Sequence, residues 1–459
     1  MKDYRFIDYD PDKALELPPD IRKWLPEDHL ALFISDVVDA LDLSEIIEDY
    51  LHLQGGHPAY HPAMMLKLLF YGYCVGIRSS RRIEQKTYED VAFRVLSCDS
   101  HPDHSRIADF RKRHLAAISR LFVQVLEICK ESGLVKLGFV ALDGTKVKAN
   151  ASKHKAMSYD RMVKKEQQLA LEVDKLLKQA ETLDEKEDKK YGKGNRGDEI
   201  PQELKFKEKR LAKIREAKQA LEQEAREDVA GKVKSGKDGK PPDGASGLSE
   251  TAEMKPKPKK QRNFTDPDSR IMIDGATKAF TQAYNAQAAV DCDSQVIVCA
   301  DVTQQANDKQ QLVPMLEQIE ENLGEIPDRV IADVGYFSEE AVGSVAKGFT
   351  EPFIPCERVK HDDPPPVAAR GRIPDNLSVV ERALRKLKTK VGQQIYSKRK
   401  ETIEPVFGQI KENRGIRSFL MRGLEAVKGE WNLICLTHNV LKLWRHLWLK
   451  QGSSARVYG

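Results

Sequence analysis

The feature that most restricts the fold of this chain is a charged block, residues 151–262, that separates one strand-like stretch from all the others. Within it, apolar residues recur every seven positions from Met162 to Leu183, in the first of two Gln/Glu/Lys-rich segments. This pattern predicts an antiparallel, coiled-coil-like helical hairpin over 151–230. The Gly/Pro/Lys-rich residues 231–262 then predict a flexible basic linker. An insertion this long must loop out of the domain that it interrupts.

Residues 1–135 precede the block and predict a mostly helical domain. Apolar residues recur there at helical spacing in several stretches, and Ser105 is a candidate N-cap of a further helix. Two basic clusters lie in GIRSSRRIEQK and SRIADFRKRH. Their candidate DNA-contacting residues are Arg81, Arg82, Arg111 and Arg113. Phosphate contact by a helical DNA-binding domain explains these clusters, and solvated helix ends, which favour Lys and Arg, explain them equally well.

Two apolar runs outside the charged block each end on an aspartate. The run 139–142 leads to Asp143, and the run in DRVIADVGYFS leads to Asp333. Asp143, followed by a glycine, also fits an ordinary turn, and Asp301 in VCADV resembles Asp333 locally. Either aspartate alone is therefore weak evidence of a functional site.

Without the charged block, residues 136–150 and 263–449 read as strand, strand, strand, helix, strand, helix, strand, helix. This order predicts one α/β domain whose first and fourth strands end on the two aspartates. Its first helix is expected over Asp308–Gly324, with Asp308 in the first turn. The last helical stretch, Tyr396–Leu449, begins with carboxylates and is expected to supply a third acid.

Two aspartates on neighbouring strand ends and one acid on a helix form a suitable ligand set for Mg²⁺ (or Mn²⁺). Mg²⁺ prefers oxygen ligands and retains several waters, so a few carboxylates suffice. Two such ions ~3.5–4 Å apart can activate a water or a 3′-OH in phosphodiester cleavage. Glu401 and Glu404 both qualify as the third acid. We favour Glu404, because Lys400 and Lys411 share its helical face and can hold DNA phosphates beside it.

Several long motifs, taken in order, resemble those of bacterial insertion-sequence transposases of the DDE type. HPAMMLKLLFYGYCVGIRSSRRIE and HPDHSRIADFRKRH are similar to that family's helical N-terminal domain. ALDGTKVKANAS and VIADVGYFS are similar to its two aspartate motifs, and DPDSRIM and AYNAQAAVD to its central strands. RKETIEPVFGQIKENRG is similar to its glutamate helix, and GEWNLICLTHNVLKLW to its closing helix. The resemblance covers nearly the whole chain.

The resemblance implies an α/β fold: an RNase H-like mixed-sheet core, an all-α N-terminal domain and the inserted helical hairpin. It implies that Asp143, Asp333 and Glu404 are the catalytic and metal-binding residues. It also implies that the partner is double-stranded DNA, as terminal inverted repeats and as target DNA. A homodimer or higher multimer is expected to act on that DNA.

Related transposases carry the pattern Tyr-x2-Arg-x3-Glu-x6-Lys in the glutamate helix. Glu404 and Lys411 have this spacing, whereas Tyr396 and Arg399 lie one residue early and Lys400 takes the arginine position. We expect Lys400, Lys411 and Arg399 to contact DNA.

Composition and missing motifs exclude several other classes of protein. The seven cysteines are scattered without a C-x-x-C pair, which is typical of a reduced, cytoplasmic protein. The sequence has no signal peptide pattern, no membrane-spanning run and no nucleotide-binding glycine loop. The net charge of +4 neither requires nor excludes nucleic acid. Cys98, His101 and His104 form a possible zinc group, but a fourth ligand at zinc spacing is lacking.

Three functions remain open from the sequence. The first is a transposase that cuts element ends, joins the 3′-OH to target DNA and associates with the nucleoid when it acts. The second is a host metal-dependent nuclease on the same core, whose cleavage would not depend on repeat ends. The third is a non-catalytic DNA-binding protein, which the complete set of acids disfavours.

Overall fold

The computed structural model is an α/β structure with an N-terminal helical region and a long helical hairpin. It describes residues 20–51, 59–191, 202–234, 255–274, 278–348, 350–357, 368–374 and 376–455. No helix within these ranges is long and apolar enough to cross a membrane.

The described residues before the first strand form the predicted all-α region. Its helices are α1 (Leu30–Ala40), α2 (Ser44–Leu51), α3 (Pro62–Cys74), α4 (Ser80–Glu89), α5 (Val91–Leu96), α6 (His104–Arg113) and α7 (Leu115–Glu131). The expectation that Ser105 is the N-cap of α6 is wrong. Asp103 is the N-cap, and its Oδ1 accepts a hydrogen bond from the Ser105 backbone N–H at 2.7 Å. A carboxylate here also interacts favourably with the positive end of the helix.

Eight strands follow in the described part of the chain. They are β1 (Phe139–Lys148), β2 (Ala156–Ser158), β3 (Gln261–Asn263), β4 (Arg270–Ile273), β5 (Phe280–Asp291), β6 (Ile297–Thr303), β7 (Arg329–Ala332) and β8 (Glu351–Phe353). All except β2 and β3 belong to one sheet.

The main sheet mixes antiparallel and parallel pairings. β1 is antiparallel to β5 and parallel to β7, β5 is antiparallel to β6, and β7 is parallel to β8. The sheet therefore runs β6-β5-β1-β7-β8, and β4 pairs with β5 on the same side as β6. This order places β1, the strand that ends its apolar run on an aspartate, in the middle. The predicted class, a mixed-sheet α/β core with an all-α N-terminal domain, is confirmed.

The charged block contains the helices α8 (Tyr159–Tyr191) and α9 (Gln202–Lys234), which pack against each other. Their shared core buries Met162, Leu169 and Leu211. Antiparallel pairing of β2 with β3 closes the base of this hairpin. Of the linker expected over 231–262, the first residues complete α9 and the last residues enter β3. The remainder of that linker, residues 235–254, lies outside the described residues.

The remaining helices cover the sheet. They are α10 (Leu312–Leu323), α11 (Glu339–Lys347), α12 (Val379–Leu387), α13 (Lys390–Gly408) and α14 (Leu424–Ala455). The helical stretch expected over Tyr396–Leu449 is interrupted between α13 and α14, after a π-helical turn at Gln409–Asn413. Gly415 and Gly423 have φ angles of 66° and 84° in the interruption, a backbone region that favours glycine and ends a helix.

The helix α14 joins the helical region to the sheet. It packs against α3, α7 and β6, and one continuous apolar core extends from the N-terminal helices to the sheet. Trp431 is fully buried in α14 and donates from Nε1 to the Gln287 carbonyl on β5 at 2.9 Å. The helical region and the sheet are therefore one packed unit.

A buried carboxylate reinforces this junction. Glu430 on α14 is fully buried, and its Oε2 accepts from the backbone N–H groups of Leu420 and Met421 at 2.8 and 2.9 Å. Its Oε1 accepts from Tyr73 and Arg78 at 3.3 and 3.5 Å. Removing Glu430 would leave several buried donors without an acceptor.

We expect Glu430→Ala to lower the free energy of unfolding by about 3 kcal/mol, because it breaks a buried charge pair and two hydrogen bonds to the backbone. Urea denaturation measures this loss. The control is Glu320→Ala on the exposed face of α10, where a change within about 0.5 kcal/mol is expected. An equal effect of the two substitutions would contradict this account of the junction.

Candidate active site

The register of two parallel strands places the two predicted aspartates side by side. Leu142 of β1 is paired with Ala332 of β7, and Asp143 and Asp333 are the next residues of the two chains. The last three residues of each apolar run, 140–142 and 330–332, are fully buried. The aspartates therefore emerge together where the buried strands reach the edge of the core.

Backbone N–H groups orient both carboxylates. Asp143 Oδ1 accepts from Gly144 N at 2.8 Å, and Asp333 Oδ1 accepts from Gly335 N at 2.8 Å. The other oxygen of Asp143, Oδ2, accepts from a guanidinium nitrogen of Arg399 at 2.9 Å. The pair of aspartates is thus held by local backbone and by one cation from α13.

A third carboxylate, Asp308, lies beside them and outside the helix in which it was expected. The helix α10 begins at Leu312, so Asp308 precedes it instead of occupying its first turn. Asp308 Oδ1 accepts from Asn285 Nδ2 at 2.6 Å and from Gln287 Nε2 at 2.7 Å. These amides on β5 hold the carboxylate against the sheet. The polar pair in the otherwise apolar strand AYNAQAAVD was the available signal, because alternate residues of a strand share a face.

Two glycines allow the carboxylates to approach so closely. A Cβ atom added to Gly144 would lie 2.7 Å from Asp308 Oδ1 and 2.8 Å from Asn285 Oδ1. A Cβ atom added to Gly335 would lie 2.8 Å from Asp333 Oδ1 and 3.3 Å from Asp308 Oδ2. A side chain at Gly144 would therefore push this group of carboxylates apart. Gly144 is required for space rather than for a turn.

Burial and neighbouring negative charges make Asp143 a weaker acid than an exposed aspartate. Burial raises its pKa to about 6, and the negative charges of Asp333 and Asp308 act in the same direction. The charge of Arg399 and the hydrogen bond from Gly144 lower the pKa but do not offset these effects. The site therefore strongly favours additional positive charge above this pH.

The helix α13 brings Glu404 towards the same group. Ile403, its neighbour in the sequence, is buried in the core, whereas Glu404 itself is exposed. Burial would lower the pKa of Arg399, but nearby carboxylates, Glu404 among them, raise it above its ordinary value. Glu401, the alternative third acid, is exposed, and its carbonyl accepts from Gln295 at 3.0 Å on the turn between β5 and β6.

The basic residues predicted on α13 occupy three different environments. Lys400 is exposed. Lys411 is half-buried and donates to the Lys146 carbonyl on β1 at 2.9 Å. Arg399 pairs with Asp143 instead of projecting from the surface. The sequence did not indicate this last role. Which side of α13 faces β1 depends on how the helix is rotated about its axis when it packs.

The four arginines predicted to contact DNA in the helical region also differ. Arg81 and Arg82 are exposed on α4. Arg111 is buried, and its guanidinium donates to the Arg78 carbonyl at 2.8 Å and to a tyrosine hydroxyl. Arg113 is exposed and donates to the Asp49 carbonyl at 3.0 Å. The buried guanidinium of Arg111 is therefore inaccessible to DNA phosphates, unlike those of the three exposed arginines.

The possible zinc group is not assembled. Within the described residues, His104 groups with Glu84 and Asp103, and neither Cys98 nor His101 joins them. His104 Nδ1 lies 2.9 Å from Glu84 Oε2, which is an ordinary hydrogen-bonding distance.

Asp301, whose sequence neighbourhood resembles that of Asp333, lies apart from the carboxylate group. It is on β6, separated from β1 by β5, and pairs with Lys428 Nζ at 3.0 Å. The local similarity of the two aspartates therefore does not extend to their structural positions.

Comparison with protein families gives two matches. Residues 19–113, which include α1 to α6 of the helical region, match a transposase domain (DUF772). Residues 371–444, which include α13 and most of α14, match a transposase DDE domain. No curated protein and no solved structure matched the chain.

Arg399→Ala should lower the free energy of unfolding at pH 8 by about 2 kcal/mol, because it leaves the Asp143 carboxylate buried without its cation. The pKa of Asp143 is already raised to about 6, so at pH 5 the carboxyl is protonated and the loss should be much smaller. Urea denaturation at pH 5 and 8 measures the difference.

The double variant Arg399→Ala/Asp143→Asn is the control for this pair. It should lack the pH-dependent part of the loss, because a neutral amide replaces the carboxylate. A loss that is the same at both pH values would contradict an electrostatic role of Arg399.

Proposed function

Because the chain is an insertion-sequence transposase of the DDE type, as both family matches support, we propose that it cuts the ends of its element and joins the freed 3′-OH to target DNA. The observation that carries this proposal is the pairing of β1 with β7, which sets Asp143 beside Asp333. The helix α13 lies against both strands and supplies Glu404 as the third acid. These acids are the expected catalytic set.

The residues present fit the divalent metal that a DDE domain implies. Asn285 Oδ1 is fully buried next to the carboxylates and accepts no hydrogen bond from any described residue. A buried acceptor without a donor is suited to a cation. We propose that Asp143, Asp333 and Glu404 hold Mg²⁺ (or Mn²⁺), with two ions at the site. Two bound ions can activate the attacking oxygen and stabilise the leaving oxygen in phosphodiester cleavage.

The chain's own residues prepare the site for this chemistry. Gly144 and Gly335 orient Asp143 and Asp333 through backbone N–H groups, so the carboxylates need not rearrange when the substrate arrives. Arg399 holds the second oxygen of Asp143 and partly neutralises the carboxylate group. The buried strands behind the aspartates exclude water from one side of the site.

We further propose that double-stranded DNA crosses the site and contacts basic residues of the N-terminal helical region and of the glutamate helix. Lys400 precedes Glu404 by one turn of α13 and Lys411 follows it in the π-helical turn, and the exposed Arg81, Arg82 and Arg113 lie on the helical region. Such residues position phosphates and do not read base sequence. A homodimer or higher multimer would bring two inverted-repeat ends together, and sizing of the protein–DNA complex tests this.

Alanine substitution of Asp143, Asp333 or Glu404 should reduce cleavage of DNA carrying the inverted repeats by about 1,000-fold or more, which corresponds to ~4 kcal/mol of activation energy. Each acid is proposed as a metal ligand, so DNA affinity should change little. Strand-cleavage and strand-joining assays in Mg²⁺ and in Mn²⁺ measure the effect.

Asp301→Ala is the matched control, because this aspartate lies in the same sheet, two strands from β1, and pairs with Lys428. Its activity should equal that of the unaltered protein. Normal cleavage by Asp143→Ala or Asp333→Ala would contradict the proposal. Cleavage that does not depend on repeat ends, without strand joining, would identify a nuclease. DNA binding without cleavage in either Mg²⁺ or Mn²⁺ would identify a non-catalytic protein.

Replacing both Arg81 and Arg82 by alanine should weaken DNA binding at low salt and flatten its salt dependence. Each lost phosphate contact lowers the slope of log K against log salt concentration by about 0.9. The control is Arg120→Ala on α7, whose guanidinium pairs with Glu45. Binding isotherms at several salt concentrations test this, and an unchanged slope would remove α4 from the DNA-binding surface.

A further inference from the structure

We infer that Asp308 is a fourth carboxylate ligand of the divalent-cation site, with Asn285 Oδ1 as a neutral oxygen ligand beside it. The inference rests on the proposed function and extends it to two residues outside the acids that the family resemblance implies. Their sequence positions, before α10 and within β5, do not reveal the grouping.

The position of Asp308 is fixed from the side of β5. Its Oδ1 accepts from the amides of Asn285 and Gln287, which stand opposite Lys146 and Gly144 of β1 in the strand pairing. Both amides thus lie next to the end of the apolar run that leads to Asp143. A carboxylate that only accepted hydrogen bonds could do so at many places on the surface. Asp308 instead accepts them beside β1, the strand that carries Asp143.

The second oxygen of Asp308 lies beside Gly335, the residue whose backbone N–H donates to Asp333. A Cβ atom on Gly335 would lie 3.3 Å from Asp308 Oδ2 and 2.8 Å from Asp333 Oδ1, so the two carboxylates approach the same point from different elements. Like charges brought together in this way cost free energy unless a cation lies between them. A bound cation would offset this repulsion, which is the physical reason to place Asp308 in the ligand set.

The orientation of Asn285 provides an independent observation. Its Nδ2 donates to Asp308 Oδ1 at 2.6 Å and to the Gln305 carbonyl at 3.1 Å. Exchanging the amide oxygen and nitrogen would place an oxygen against two acceptors, so the assignment is fixed. Oδ1 then points towards Gly144, fully buried and without a donor among the described residues. A hard cation is a suitable partner for such an oxygen.

A chain of hydrogen bonds connects the two sides of the proposed ligand set. The hydroxyl of Tyr336, in the turn after Asp333, donates to Gln287 Oε1, and Gln287 Nε2 donates to Asp308 Oδ1. The loop that carries Asp333 and the loop that carries Asp308 are therefore tied to the same strand. Metal ligands are commonly held by outer hydrogen-bond partners of this kind.

The alternative is that Asp308 only accepts the two amide hydrogen bonds. Asp308→Asn separates the roles, because the amide keeps an oxygen acceptor of the same size and loses the charge. The experiment measures Mn²⁺ binding to the full-length, DNA-free protein by isothermal titration calorimetry at pH 7.5. Circular dichroism and thermal melting without Mn²⁺ establish that each variant is folded.

We expect Asp308→Asn to weaken Mn²⁺ binding by at least the roughly 10- to 100-fold that loss of an outer hydrogen-bond partner of a metal ligand costs, while its melting temperature without Mn²⁺ stays equal or rises. Asp301→Asn is the matched control and should bind Mn²⁺ as the unaltered protein does. If Asp308→Asn does not fold, Asp308→Ser, which also keeps an oxygen acceptor, replaces it. Unaltered Mn²⁺ affinity in the folded variant would overturn the inference.

Asp143→Asn, measured in parallel, separates this inference from the proposed function. If Asp143→Asn weakens Mn²⁺ binding and Asp308→Asn does not, only the role of Asp308 fails. If neither substitution matters, or if the unaltered protein binds no Mn²⁺, the cation site itself fails and the inference fails with it.

Discussion

The parallel pairing of β1 with β7 sets the separation of the two aspartates on which the proposed site is built. The pairing is strongly specified, because Val140, Ala141, Leu142 and their partners on β7 are buried on both faces of the sheet. A shift of one residue would turn Asp143 towards the opposite face and bury a carboxylate in the apolar core. The core that stabilises the fold therefore also fixes the geometry of the site.

Once the strands are paired, the site has an excess of negative charge. Asp143, Asp333 and Asp308 crowd together around two glycines, and Arg399 is the cation that pairs directly with this group among the described residues. Burial makes the crowding more costly than it would be at the surface. Burial lowers the pKa of the half-buried Lys146, whereas the charges of Asp308, Asp143 and Asp333 act in the opposite direction. The repulsion among these carboxylates destabilises the folded state locally, and the burial of the surrounding core offsets the loss of free energy.

The sequence was sufficient to predict the fold class. Alternating strand and helix patterns, the heptad spacing of the hairpin and the apolar runs into Asp143 and Asp333 are local signals, and each forms the predicted element. Asp308 was placed wrongly because its partners, the amides on β5, become its neighbours only when the sheet forms. The buried state of Arg111 and the inward position of Arg399 likewise depend on how helices rotate against their neighbours, which no local pattern records.

The short β2–β3 pairing at the base of the hairpin has a consequence for how such a chain can change over evolutionary time. Paired strands lie about 4.8 Å apart, so the chain leaves the core and returns to it at almost the same point. Glu224 of α9 stabilises the base of the hairpin through ion pairs to Lys260, Arg262 and Arg270 at 3.0, 2.5 and 3.0 Å. Beyond it, the hairpin can lengthen, shorten or be exchanged for another module without altering the strand that carries Asp143.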